Sequence, residues 1–345
     1  MKNKNIFCRS FVAGFLLASG WFVWLTCWYL PNLDMEGWLR EVLWCKLDIA
    51  ARTPSPKIII LSGSNGFFGM DSAIMEKRCG MPVVNLAFHA AFPINCYQKL
   101  LTNVLQEGNL VVMPLEFEHY SASSGRNKIT MFTGFGWGRE FFPPENRIEN
   151  ALFYIFSDVW SSDFITNIPR KIKKRFRHPP PTKKATLEWF HQLCEQPDLR
   201  TKQKKQKLYS FENMNRYGDI IRTENQKITF PTRLPTTVPT DFCLRELRAL
   251  ENFVHEKKAE IVLTWPVIYC GNNLRQILDL KRHCREKGIT IHGDPEKFMF
   301  PPEDFSDTCY HLRSSAAPKR TEILADCILE SNLLPTRPPS KKITK

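Results

Sequence analysis

The stretch from Lys57 to Asp71, KIIILSGSNGFFGMD, limits the folds open to this chain more than any other. Four consecutive apolar residues, Ile58 to Leu61, read as a buried strand. The small-residue turn Ser62-Gly63-Ser64-Asn65-Gly66 follows at once, and a helix starts near Asp71 or Ser72. Strand, tight turn and helix together present a serine at the carboxyl edge of a parallel sheet. At that edge a backbone N–H and a helix dipole can stabilise a developing oxyanion beside Ser64. The same residues also suit an ordinary βα turn, and one serine in a turn does not choose between the two.

The pattern repeats along the chain. Pro82 to Phe88 reads as a second strand and its exit, with the mostly small or turn-forming run His89-Ala90-Ala91-Phe92-Pro93 after it. A helix over Ile94–Glu107 is stopped by Gly108-Asn109. Leu110 to Leu115 is a third buried strand, ending in Glu116-Phe117-Glu118-His119-Tyr120. Further on, helix Leu244–Lys257, strand Glu260–Trp265, helix Asn273–Lys287, strand Ile289–His292 and helix Lys319–Glu330 continue the alternation. Alternating strands and helices predict an α/β domain with a parallel sheet, whose ligands lie beyond the carboxyl ends of the strands. Ser64, the run Asn85 to His89, and Glu116 all fall at such ends.

Before this domain, Ser10 to Leu30 carries no charge: SFVAGFLLASGWFVWLTCWYL. That matches the roughly 20 residues a helix needs to cross a bilayer. Trp21, Trp24, Trp28 and Tyr29 crowd its far end as an interfacial belt would. Lys2, Lys4 and Arg9 before the span, with Asp34 and Glu36 after it, predict an N-terminus inside and the large domain outside the cytoplasmic membrane. A cleaved signal peptide is the rival reading, with Ala18-Ser19-Gly20 as its site, but the apolar run continues well past that point. Residues 31–56 read as a connector with a short amphipathic helix carrying Trp38, Leu39, Val42, Leu43 and Leu47. The expected order is then residues 57–129 and 240–330 as the α/β domain, 130–239 as an insertion and 331–345 as a disordered tail.

The net charge of +13 is unevenly spread. Between Pro169 and Lys207 stand thirteen Lys and Arg against Glu188, Glu195 and Asp198, a local excess of ten positive charges. The densest part holds Arg170, Lys171, Lys173, Lys174, Arg175 and Arg177. A block of like charge is most often a solvated loop. An anionic lipid surface or cell-surface polymer suits an external domain better than nucleic acid, which is not an expected partner. A helix over Ala185–Cys194 is predicted inside the insertion. The eleven cysteines form no CxxC pair and no zinc spacing, so no metal or cofactor is expected.

A hydrolytic serine needs a base to take its proton and a carboxylate to orient that base. Asp307 and His311, in FSDTCYHL, supply both from one loop after the last strand. With Ser62-Gly63-Ser64 after the first strand, Asn85-Leu86-Ala87 after the second, and Asp307 and His311 in the last block, the sequence resembles the SGNH/GDSL hydrolase superfamily, particularly its membrane-anchored bacterial members. The likeness covers roughly Lys57 to Tyr120 and Leu244 to Glu330. It implies a flavodoxin-like three-layer α/β/α fold. It also implies Ser64 as nucleophile, His311 as base and Asp307 as its orienting acid, with the Ser64 and Ala87 N–H groups in an oxyanion hole.

Two departures stand beside the likeness. Three residues separate Asp307 from His311 where the family has two. Leu115-Glu116-Phe117-Glu118 replaces the family's Gly-x-Asn-Asp, whose Asn donates to the oxyanion. An ionised carboxylate cannot donate. Either Asn65 serves instead, or Glu116 has another task, or the site has lost its chemistry. Relatives of this kind move D-alanine or acetyl groups onto envelope polymers. The resemblance therefore implies an extracytoplasmic serine acyl esterase or O-acyltransferase. The alternative is an inactive module of the same fold that binds an anionic glycan, a lipid or an assembly partner.

Overall fold

The structure is a computed structural model and describes residues 2–24, 37–123, 138, 181–201, 207–223, 228, 230 and 237–335. It divides into two compact units, Met1–Arg40 with Arg126–Pro181, and Glu41–Gly125 with Thr182–Lys345. In the first unit the chain forms helix α1, Lys2–Trp24. Its segment Ile6–Trp24 is long and apolar enough to cross a membrane and is not buried against protein. Phe7, Phe11, Phe15, Leu17 and Trp21 stand exposed along it. Such a helix is compatible with a single-pass membrane protein and also with a signal sequence. Residues 25–30 of the expected span, the basic residues Arg170, Lys171, Lys173, Lys174, Arg175 and Arg177, and the tail 336–345 lie outside the described residues.

The second unit is mixed α/β. Helix α2 (Gly37–Arg52) leads to β1 (Ile58–Ile60), the short turn helix α3 (Ser64–Phe67) and α4 (Ser72–Cys79). Then come β2 (Val83–Asn85), α5 (Ile94–Leu101), β3 (Leu110–Pro114) and α6 (Phe117–Ser121). After residues 124–180 follow α7 (Lys183–Glu195) and α8 (Asp198–Thr201). The last part holds α9 (Asp241–Glu256), β4 (Glu260–Thr264), β5 (Ile268–Tyr269), α10 (Leu274–Glu286), β6 (Met299–Phe300) and α11 (Ala317–Glu330).

Local chemistry sets these limits. Asp71 caps α4, its carboxylate accepting from Ile74 N at 3.3 Å, and Gly80 ends it in the left-handed region. Thr240 and Asn273 cap α9 and α10 in the same way. The first three strands are wholly buried and rich in Ile and Val. That composition fits a parallel sheet covered on both faces.

The sheet is parallel throughout, in the order β2-β1-β3-β4. Ile58 stands opposite Val83 and Leu110, and Leu110 opposite Glu260. α4 packs against α11, and α5 against α9. The expected fifth strand, Ile289–His292, is reduced to one parallel bridge between Thr264 and His292. Gly288 and Gly293, both at positive φ, turn the chain at its two ends and leave no length for a ladder.

Two boundaries differ from the sequence expectation. The connector is mostly core: Val42, Leu43, Cys45, Ile49 and Ala50 of α2 are buried. The insertion does not end at 239 as a separate piece, because everything from Thr182 onward belongs to the α/β unit. Phe190, Leu193, Phe211, Met214 and Ile220 are buried there. The basic and proline composition of 130–239 hid this, since these five apolar residues are spread among charges. The expected helix Ala185–Cys194 is present as α7.

Ile59 lies in a central strand with no exposed surface. Ile59→Ala should lower stability by about 2–5 kcal/mol, the usual range for emptying such a site. Urea denaturation of the detergent-solubilised chain checks this; a loss below about 1 kcal/mol would mean that β1 is not core.

Candidate active site

In this strand order, β1 sends its connection to β2 on one side, and β3 sends its own toward β4 on the other. Adjacent strands with opposed connections open a crevice at their carboxyl ends. The turn after β1 brings Ser64 to that crevice, and the end of β3 brings Glu116.

Glu116 is buried and accepts two backbone hydrogen bonds from the serine turn. Gly63 N donates to Oε2 at 3.1 Å and Asn65 N to Oε1 at 3.0 Å. The residues on either side of Ser64 are thus held by one carboxylate. Gly63 is required by close approach rather than by its φ of −76°. A Cβ there would overlap Glu116 Oε1 and the Ala90 backbone, whose N would lie 2.7 Å away. Gly66 is likewise closed in, by Ser62 Oγ and the Ala87 Cβ.

Asn65 is locked on its other atoms. Its Nδ2 donates to Pro114 O at 2.8 Å. The guanidinium of Arg320, from α11, donates to both Asn65 O and Asn65 Oδ1, and to Gly69 O at 3.3 Å. Arg320 is fully buried; burial pushes its pKa down to about 9, and the Glu116 charge opposes that. Burial would raise the Glu116 carboxyl, but bonds and charge from His119 and bonds from Asn65 outweigh it and hold the pKa below the ordinary value. His119 Nε2 stands 3.6 Å from Glu116 Oε2 and 3.3 Å from the Tyr97 hydroxyl.

The second half of the site comes from the loop before α11. Phe305 pairs with Leu312 in an antiparallel bridge, and Ser306 N donates to His311 O at 2.7 Å. This small hairpin places Asp307 Oδ1 2.8 Å from His311 Nδ1. An ionised carboxylate only accepts, so Nδ1 carries a proton, which makes Nε2 the acceptor in a neutral ring. No described group bonds Nε2. Burial raises the Asp307 carboxyl, while hydrogen bonds from His311 and Tyr209 outweigh that and keep its pKa low.

The His311 ring stacks on Phe68 at 4.0 Å and 15°. Phe68 directly follows α3, and its N–H donates to Ser64 O at 2.9 Å. One aromatic contact therefore ties the Asp307–His311 pair to the turn that carries Ser64. Tyr310 ties the same loop to the start of α6, its hydroxyl accepting from Phe117 N at 3.3 Å. Ser64 is half-buried, and its hydroxyl and N–H have no partner among the described residues.

The expected oxyanion donors need correcting. Ala87 N–H is spent on Asn85 Oδ1 at 2.9 Å. The Asn65 side chain is spent on Pro114 O and Arg320. Asn85 itself is a strut, its Nδ2 donating to Gly66 O at 2.7 Å and Asp219 Oδ1 at 2.8 Å. His89 turns inward on its own loop, Nδ1 accepting from Ala91 N at 3.1 Å. Among the described residues Ser64 N–H and Ala90 N–H have no hydrogen-bond partner, and the Ala90 backbone lies against Gly63.

Besides Tyr209, sequence reasoning missed three residues. Lys46 of α2 is fully buried; its ammonium donates to Asn85 O and Gly218 O, both at 2.7 Å, and lies 4.1 Å from the Phe67 ring. Burial drives its pKa well below that of an ordinary lysine, opposed by Asp219. Asp219 accepts from Ser72 Oγ at 2.7 Å, Ser72 N at 2.9 Å and Asn85 Nδ2 at 2.8 Å. Arg320 is the third. Each bonds residues far away in sequence, and no local spacing announces such pairs. Comparison with protein-family models, curated proteins and solved structures finds no match to this chain.

Glu116→Leu would leave two buried N–H groups without acceptors and remove the counter-charge nearest Arg320. A loss of about 3 kcal/mol is expected. The wild-type contribution has a definite pH sign. The folded pKa lies below the unfolded one, so stability is fully present above the ordinary glutamate pKa and falls as pH drops through the folded value. Urea midpoints measured from pH 7 to pH 3 should fall less steeply in Glu116→Leu than in wild type; parallel curves would remove Glu116 from the account.

Proposed function

We propose that this chain is a membrane-anchored serine acyl esterase or O-acyltransferase of SGNH type. In this reading the α/β unit is a flavodoxin-like three-layer sandwich, the N-terminus lies inside, and the unit faces the exterior of a bacterial inner membrane. One observation carries the proposal: the part-buried Asp307–His311 pair, whose Nε2 no described group bonds, is stacked through Phe68 onto the turn that holds Ser64.

The chemistry follows from these atoms. His311 Nε2 takes the Ser64 proton as Oγ attacks the ester carbonyl. Asp307 holds the imidazole and stabilises its charge. Ser64 N–H and Ala90 N–H receive the developing oxyanion. The C–O bond to the leaving alcohol breaks as that alcohol takes the proton from His311, leaving an acyl-Ser64. Water, or a hydroxyl of a polymer, then attacks by the reverse path. The basic run Arg170, Lys171, Lys173, Lys174, Arg175 and Arg177 suits an anionic polymer or lipid on the same side of the membrane.

A second reading has its own observation. Glu116 replaces the expected oxyanion donor, and the Ala87 and Asn65 donors are spent internally. Those facts favour an inactive module of the same fold that binds a polymer, lipid or partner.

Labelling of the full, detergent-solubilised chain with a fluorophosphonate, read by peptide mass spectrometry, separates the two. The enzyme reading expects an adduct on Ser64, absent in Ser64→Ala and slowed about 10²–10⁴-fold in His311→Ala. A folded chain without any adduct would leave the binding module as the better account.

A further inference from the structure

We infer that Tyr209 is a positioning residue for the candidate base, acting on His311 through Asp307. The inference deepens the serine-hydrolase reading and rests on it for its catalytic meaning. Its observations are separate. The Tyr209 hydroxyl donates to Asp307 Oδ2, the oxygen that His311 does not use, and stands 3.4 Å from His311 Nδ1. Its ring lies 5.3 Å from Phe68 and 6.2 Å from His311. Asp307 is therefore held at both oxygens, by the base on one side and by a phenol on the other.

Tyr209 belongs to the stretch that follows the basic run, a part of the chain unmatched by the resemblance. That stretch is anchored beside the site. Asn213 caps its own turn through Leu208 O and Arg222 O, and Asp219 ties it to Ser72 and Asn85. The aromatic ring of Tyr209 reaches the pair from an element that a minimal Ser, His and Asp set does not need.

The groups facing the His311 ring are few. Asp307 and Tyr209 bond it from the loop and from the 207–223 segment. Phe68 covers one face and is uncharged. Cys309 and Tyr310, on the same loop, interact instead with Glu118 of α6. A donor on Oδ2 draws negative charge from the carboxylate. Without it, Oδ1 becomes a stronger acceptor for Nδ1–H and holds a charged imidazole more firmly.

Tyr209→Phe, in the full chain in detergent, tests this. The change removes one oxygen and keeps the ring stack. Two readouts are taken: the Nδ1–H proton resonance of His311, assigned against His311→Gln, and the pH profile of fluorophosphonate labelling at Ser64. The resonance should move downfield, and the acid limb of labelling should move up by about half a pH unit, with only a small change on the alkaline plateau. On an Asp307→Asn background both effects should vanish, because the group that Tyr209 acts through is gone. An unmoved resonance in folded Tyr209→Phe would overturn the inference, as would an equal shift on both backgrounds. A moved resonance in a chain that never labels would support Tyr209 as the holder of the pair and sink the serine reading instead.

Discussion

One buried carboxylate holds the candidate site in shape. Glu116 takes the N–H groups on both sides of Ser64 into its two oxygens, at the point where β1 and β3 part. Removing a charge from water is costly, and only full hydrogen bonding makes it tolerable. Here the carboxylate meets two amides, with the His119 imidazole and the Arg320 guanidinium close by. The guanidinium in turn fastens Asn65 and the chain just beyond α3. The turn is thus fixed from the strand side by Glu116 and from the helix side by Arg320. A nucleophile gains from such rigidity, since small misplacements cost rate steeply. A binding surface gains from it too, and this is why the clamp by itself names no reaction.

Much of the frame was legible in the residues, and the reasons are local. Ile58 to Ile60, Val83 to Asn85 and Leu110 to Pro114 announce themselves as short apolar runs bounded by turns, and they form the sheet. Gly63 and Gly66 were visible as a tight turn, but their true constraint was not. They are small because Glu116, Ala90 and Ala87 press on them, and those contacts are long-range. Glu116 looked like a misfit at an oxyanion position; its partners are backbone amides, which carry no sequence signature. Nothing in the local sequence marked Lys46. It is buried because two carbonyls and the Phe67 ring surround its ammonium.

The stretch after the basic run was the hardest to read. Charge and proline made it look like one detachable piece, yet Phe190, Phe211 and Met214 sit in the core. Its contribution is chemical as well as structural, because Tyr209 bonds Asp307 and Asp219 bonds the β2 exit. Composition averaged over a hundred residues cannot report five buried side chains. The distinction lay in where the apolar residues fall, and only their burial shows it.

The order in which the pieces leave the ribosome adds a consequence. The serine turn is made first, Tyr209 follows it, and the hairpin with Asp307 and His311 comes after both. Arg320, which fastens the turn, is later still. A nascent chain therefore carries the serine turn without Asp307, His311 or Arg320 until those residues have been made. A product cut short before α11 would lack the guanidinium that fastens Asn65 and Gly69.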